Sequence, residues 1–576
     1  MYGKFLGTLI ILTTLSATAS GQFQPPPGVP TPGQPPRDTS NRPVTGTGKI
    51  QGRVMATDTG NPLRGALVQI TANELQIRRA AVTDAEGRYE ADALPAGRYS
   101  LSVSKGGYVT LQFGQQRPFE QGRPLELSDA QVADRIDFAL PRGGVITGRV
   151  VDSFGDPIAG VRVDARRYQY LPGGQRQLVP AGSLGNIASD DRGQYRIYGL
   201  MPGTYVVAAA PAASSTIIMP GAGGGMTSVS ANAGFATTYF PGTAAADEAQ
   251  SVAVSLGQEA IADFGLVAVK VARVTGRVRD SQGQPFAGAN VILRQSRMTF
   301  GDQPTFSQTG DDGGFTISNV APGDYVLDVR QIRRGPAATN PDEFASLPVT
   351  VAGNDIANLL VTTGVGAIVR GRVVYEGAKP PSSAALPLRV MASPVDPGPM
   401  FSAAASPDNG VVDAEGNFQI RGVTGKVLFR AAPMPPGWIQ KRVTVAGRDV
   451  TDTGIEVDDS TAGMEVVLTD RVSTLAGGVR DNRGQPVTDY VLVVLPRYAR
   501  PEVSDMRFVT TARPDQQGRF QLRGRPPGEY VAMAVPSLDQ SGAWDPSVQE
   551  RVRANGKPFV LREGESLTLE LQLAPD

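Results

Sequence analysis

The stretch Ser189–Ala209, "SDDRGQYRIYGLMPGTYVVAA", decides how the chain is read. Asp190 and Gly193 make a tight turn, because Asp accepts bonds from nearby amides and Gly takes positive φ without steric cost. Tyr195 then leads an alternating run, Pro202 and Gly203 break it, and Tyr205 leads a second run. The same phrase recurs as "TDAEGRYEADALPAGRYSLSV" from Thr83, "GDDGGFTISNVAPGDYVLDV" from Gly310, "VDAEGNFQIRGVTGKVLFRA" from Val412 and "PDQQGRFQLRGRPPGEYVAMA" from Pro514. Tyr195 and Tyr205, Phe315 and Tyr325, and Phe520 and Tyr530 each stand ten residues apart. The even offset fits two rings that face one core, although the turn between them prevents a strict parity argument.

A second phrase opens each unit: "IQGRVMATDTGNPLRGALVQI" from Ile50, "ITGRVVDSFGDPIAGVRVDA" from Ile146, "VTGRVRDSQGQPFAGANVIL" from Val274, "VRGRVVYEGAKPPSSAALPLRV" from Val369 and "LAGGVRDNRGQPVTDYVLVV" from Leu475. Gly155 with Pro157, Gly283 with Pro285, and Gly484 with Pro486 mark its turn, and two strands with a tight reversal are expected there. Units starting at Gly52, Gly148, Gly276, Gly371 and Gly477 give a period of about 100 residues, the size of a domain and longer than a solenoid repeat. Short strands, frequent turns and almost no helical periodicity predict an all-β chain: a tandem array of five antiparallel β-sandwiches. Their expected bounds are 48–142, 143–270, 271–366, 367–470 and 471–576, and the Gly/Ala/Ser-rich insertion near 211–238 reads as a mobile excursion from the second unit.

The N-terminus reads as a signal peptide over 1–19, with Lys4, an apolar run and a small-x-small site at Ala17–Ala19. A Pro/Gly-rich linker follows over 20–47. The expected location is therefore secreted, periplasmic or envelope-associated, with no transmembrane segment in the mature chain. Lys+Arg and Asp+Glu are both 55, so no global field draws the chain to nucleic acid. Cys and His are both absent, which excludes disulfides, thiolate zinc sites and every Cys- or His-based nucleophile system. No cofactor, metal site or catalytic residue is expected, and no distinguished carboxylate pair suggests a glycosidase. Asp-rich turns such as Asp190–Asp191 and Asp311–Asp312 offer too few oxygens for calcium and read as turn caps.

These paired phrases resemble the carboxypeptidase regulatory-like domain family, whose members have a transthyretin-like or prealbumin-like sandwich. The fourth unit departs from the pattern: it lacks both the opening Asp and the Pro-Gly-Tyr. The resemblance implies a non-catalytic accessory module, and some relatives within the wider sandwich group bind carbohydrate. The expected function is a scaffold or interaction protein whose partners are envelope or extracellular proteins. The alternative is polysaccharide binding through loop aromatics, for which Trp438, Trp544, Tyr108 and Tyr239 are the candidate ligand contacts.

Overall fold

The structure, a computed structural model, describes residues 46–575 apart from residue 76 and the stretches 182–186, 212–216, 221–225, 230–233, 297–303, 331–342, 378–386, 396–409, 459–460 and 500–504. The expected signal peptide and nearly all of the linker lie outside the described residues. All described residues belong to the unit Val44–Asp576.

Each repeat builds a two-layer sandwich with its own apolar core. In the second module one layer is Gln194–Leu200, Gly144–Val151 and the pair Glu259–Ile261 and Phe264–Gly265, and the other is built on Val161–Tyr170 and Gly203–Pro211. The turn at Gly155 and Pro157 therefore carries the chain from one layer to the other rather than closing a hairpin. The same holds for the Pro202–Gly203 turn, so Tyr195 and Tyr205 enter the core from opposite layers, 4% and 1% exposed. Antiparallel pairing dominates, with an exception that recurs in every module. The closing strand runs parallel to the opening strand, as Ala272–Arg279 does with Ile356–Thr362.

The opening glycines have a common physical reason. Gly52, Gly148, Gly276, Gly371 and Gly477 lie directly opposite Tyr89, Tyr195, Phe315, Phe418 and Phe520 across the antiparallel pair. A Cβ at these glycines would stand 2.0 Å from the Ile136 carbonyl oxygen, 2.0 Å from Ala262, 2.2 Å from Leu359, 2.7 Å from Met464 and 1.9 Å from Leu569. The ring and the closing strand fill the space that a side chain would need.

The tyrosine that follows the second turn, Pro-Gly-x-Tyr in three modules and Ala96-Gly97-Arg98-Tyr99 in the first, also has a fixed purpose. Tyr99, Tyr205, Tyr325 and Tyr530 each donate their hydroxyl to a carbonyl four residues back, at Pro95, Met201, Ala321 and Pro526, over 2.6, 2.6, 2.8 and 2.7 Å. The ring fills the core while its polar tip fastens the turn. In the fourth module Val427 takes the tyrosine's place in the core. There the strand Ile439–Val445 joins the opening-strand layer by pairing with Met464–Thr469.

The turn aspartates cap their own loops. Asp190 Oδ1 accepts from the amides of Arg192 and Gln194, and Asp152, Asp280, Asp481 and Asp515 repeat this geometry. Those oxygens satisfy backbone donors that the turn would otherwise leave unpaired.

Two features depart from the plain sandwich. Of the insertion near 211–238, the described segments Ile217–Pro220 and Met226–Val229 are paired strands rather than structureless chain. The inner one meets the third module's sheet through Thr227 and Ser307. In the fifth module Val491–Pro496 and residues 530–535 of the strand Gly528–Val535 are buried on both faces. The helix Pro546–Asn555 and the turn before it cover the outer face, packing Val552 and Ala543 against Val491, Val493 and Met533. An unbroken apolar strand such as "VLVVLP" signals burial on both sides.

Two measurements check this account. Gly276→Ala is expected to cost the third module about 3 kcal/mol in urea unfolding, as severe overpacking does, while Gly283→Ala, at φ +77° in open space, costs about 1 kcal/mol. Burial pushes the Tyr205 phenol up from 10.0 to about 12, the nearby Arg167 charge opposing it. Its folded value is raised, so its stabilisation is complete below pH 10.0 and is lost as the pH climbs toward 12. Tyr205→Phe is expected to flatten the fall in melting temperature across that window.

Candidate functional site at the junction of modules one, two and five

The fifth module returns to the first across about 400 positions of sequence, a closure whose entropic cost grows only slowly with length. The contact is centred on Glu120 and Arg513, whose side chains are 2% and 1% exposed and form an ion pair. Arg513 also donates to Asp489 Oδ1 at 2.6 Å, and the second Glu120 oxygen accepts from the amides of Gln116 and Arg117 at 3.2 and 3.3 Å. Both charges are thus paired and hydrogen-bonded, which buried charges require.

Around this pair the contact is polar. Arg123 donates to the carbonyl of Asp515 at 2.5 Å, Arg98 to that of Gln521 at 3.0 Å, and the Gln516 amide bridges both backbone groups of Glu126. Burial and the neighbouring Arg513 charge pull the Arg123 guanidinium below its usual value. Arg513 Nε is buried with no hydrogen-bond partner among the described residues, so docking leaves part of its desolvation uncompensated, whereas Arg98 Nε lies 2.8 Å from Glu126 Oε1.

Phe119 links the junction to the second module. Its ring meets Tyr205 edge-on at 6.4 Å, and the Arg167 guanidinium lies 3.2 Å from its centroid. Arg167 in turn pairs with Asp539 at 2.9 Å, and the backbone N–H of Gln540 donates to the Phe119 carbonyl at 3.0 Å. The three modules enclose a cleft of about 290 Å³.

The four aromatic residues expected to contact ligand are placed apart, one in each of four modules. Trp438 is 8% exposed in the fourth core, edge-on to Tyr375 at 5.5 Å. Tyr239 is 8% exposed in an apolar cluster with Leu178, Val206 and Ala208. Trp544 is half-buried against the fifth module's outer cluster. Tyr108 is half-buried against the first core, with the Arg142 guanidinium 5.5 Å from its ring. Packing engages each of these rings, and the structure brings none of them together in a common binding face.

Sequence reasoning did not find Phe119, Glu120, Arg123, Arg513 or Asp539. The segment "FGQQRPFEQGR" from Phe113 stands outside the repeated phrases, and nothing in it names a partner about 400 residues away. Among the described residues no three His, Cys, Asp or Glu side chains group to hold a metal ion, and no helix is long and apolar enough to cross a membrane.

Breaking one side of the buried pair tests the junction. Glu120→Ala strands Arg513 in a low-dielectric contact and is expected to weaken docking of the fifth module by about 3–5 kcal/mol. Solution X-ray scattering is expected to show a larger radius of gyration for this variant, with each module still folded by circular dichroism.

No curated protein sequence matches the chain. Among solved structures, a streptococcal ancillary pilin shares 14% identity over 55% of this chain and 98% of its own, at a TM-score of 0.20. A minor pilin of Streptococcus agalactiae shares 15% over 39% of this chain and 97% of its own, at 0.20. The major pilin subunit of Bacillus cereus shares 10% over 55% and 99%, at 0.13. Residues 49–141 and 273–362 match the carboxypeptidase regulatory-like domain model, and the first and third modules of this chain are therefore carboxypeptidase regulatory-like domains.

Proposed function

We propose that the chain is a non-catalytic scaffold, secreted or held in the cell envelope, that presents braced β-sandwich modules to envelope or extracellular proteins. The observation that carries this reading is how the recurrent polar groups are used. The turn aspartates cap backbone amides and the corner tyrosines fasten the Pro-Gly turns. What the repeats hold in common is thus spent on folding, and what differs between modules is surface. Docking of the fifth module on the first and second limits how freely the surfaces can move relative to one another, as a presenting framework requires. Polysaccharide binding through Trp438 and Trp544 receives no such support, because both rings are engaged in packing.

Fractionation of cells expressing the full chain with a C-terminal tag tests this reading. Recovery outside the inner membrane, with an N-terminus near Ser20, is the expected result, together with discrete cross-links to envelope proteins. Recovery in the cytosol with Met1 intact would overturn it.

A further inference from the structure

The cleft at the three-module junction has a lining that the scaffold reading does not use. Ser102 and Thr110 come from the first module, Gln169 from the second, and Gln540 and Ser541 from the fifth. None of these five side chains is tied up in a hydrogen bond within the described chain; Ser102, Gln169 and Ser541 are partly exposed, and Thr110 and Gln540 are exposed at the same cleft. Deeper groups hold the wall in place: Gln112 Oε1 accepts from the Gly122 amide at 2.7 Å, and Gln115 Nε2 donates to the Arg117 carbonyl at 3.1 Å.

Three properties narrow the ligand. The only full charges in the lining, Arg167 and Asp539, neutralise each other at 2.9 Å, so neither a phosphate nor an ammonium finds a free counter-charge. Apolar lining is confined to Phe119 and Met201, and Arg167 already covers a face of the Phe119 ring, which leaves little for an acyl chain or a large apolar side chain. Ser102 is paired on both sides, with Gln69 and Gln112, so its strand offers a peptide no open ladder there. Amides and hydroxyls that both donate and accept match a ligand whose own groups do the same. A volume of about 290 Å³ lies at the small end of ligand sites, roughly 300 to 1,000 Å³.

We propose that this cleft binds a neutral, hydroxyl-rich ligand the size of one or two sugar rings, held by side chains of three modules, and that binding favours docking of the fifth. The ligand is a free sugar or the end of a neutral polysaccharide, which share this chemistry. Because the walls belong to separate modules, a bound ligand bridges them and contributes to closure, and loosening the closure weakens binding by the same factor.

Saturation-transfer NMR on the full chain with glucose, N-acetylglucosamine, maltose and cellobiose tests the site. At least one of these sugars is expected to bind, and Gln169→Ala with Gln540→Ala is expected to reduce affinity at least about tenfold, the loss of two hydrogen bonds, with an unchanged melting temperature. Glu120→Gln, which does not line the cleft, is expected to reduce affinity as well. Electrophoresis through gels containing glycogen or hydroxyethyl cellulose separates the sources: retardation identifies a chain end, and its absence beside sugar binding identifies a free sugar. Failure of all four sugars and both polymers to bind, or full affinity in the double variant, overturns the site. Full affinity in Glu120→Gln overturns its coupling to docking. These outcomes leave the fractionation result for the scaffold untouched, so the two readings fail separately.

Discussion

Every sandwich in this chain is organised around a place where a side chain cannot go. The opening strand carries a glycine at the point where an aromatic ring crosses from the antiparallel neighbour and a carbonyl of the parallel closing strand comes in from the other side. Removing the Cβ lets three strands approach, and the ring supplies the apolar contact that glycine lacks. The strand weakened by glycine is thereby stabilised by tertiary packing rather than by propensity. Register follows from the same contact, since a one-residue slip would put a side chain into the carbonyl.

From that point the remaining devices are local. Asp caps the turn before the aromatic strand, Pro-Gly carries the chain to the other layer, and the corner tyrosine bonds back to the turn it has just left. The fourth module shows what changes when parts are missing. Without the corner tyrosine, Val427 fills the core but fastens nothing, and the strand Ile439–Val445 lies with the opening-strand layer. A module can lose one device because its core of valines, with Phe418, Phe429 and Trp438, still buries enough apolar surface.

Contacts between modules follow different chemistry. Cores are apolar and local, whereas the return of the fifth module is made by arginines, carboxylates and backbone carbonyls, with Arg513 Nε left unsatisfied among the described residues. Such a contact gives orientation and specificity more than net affinity, because desolvation offsets much of the Coulomb gain. It orients modules whose apolar cores are separate.

The order of the repeats, the all-β class, the turn chemistry and the pairs of core aromatics were legible in the residues, because each depends on neighbours a few positions away. The double burial of "VLVVLP" has a local signal too, an apolar run without alternation, which the reading of the repeats passed over. Which strands pair in parallel, why the opening residue must be glycine, and where Trp438, Trp544, Tyr108 and Tyr239 lie became visible only in three dimensions. The same is true of the junction: Glu120 and Arg513 are ordinary charged residues in sequence and become a buried pair only when separate modules meet. Local turn chemistry is fixed by covalent neighbours, while long-range partners are chosen by the packing of finished modules, and no periodicity in a single chain records that choice.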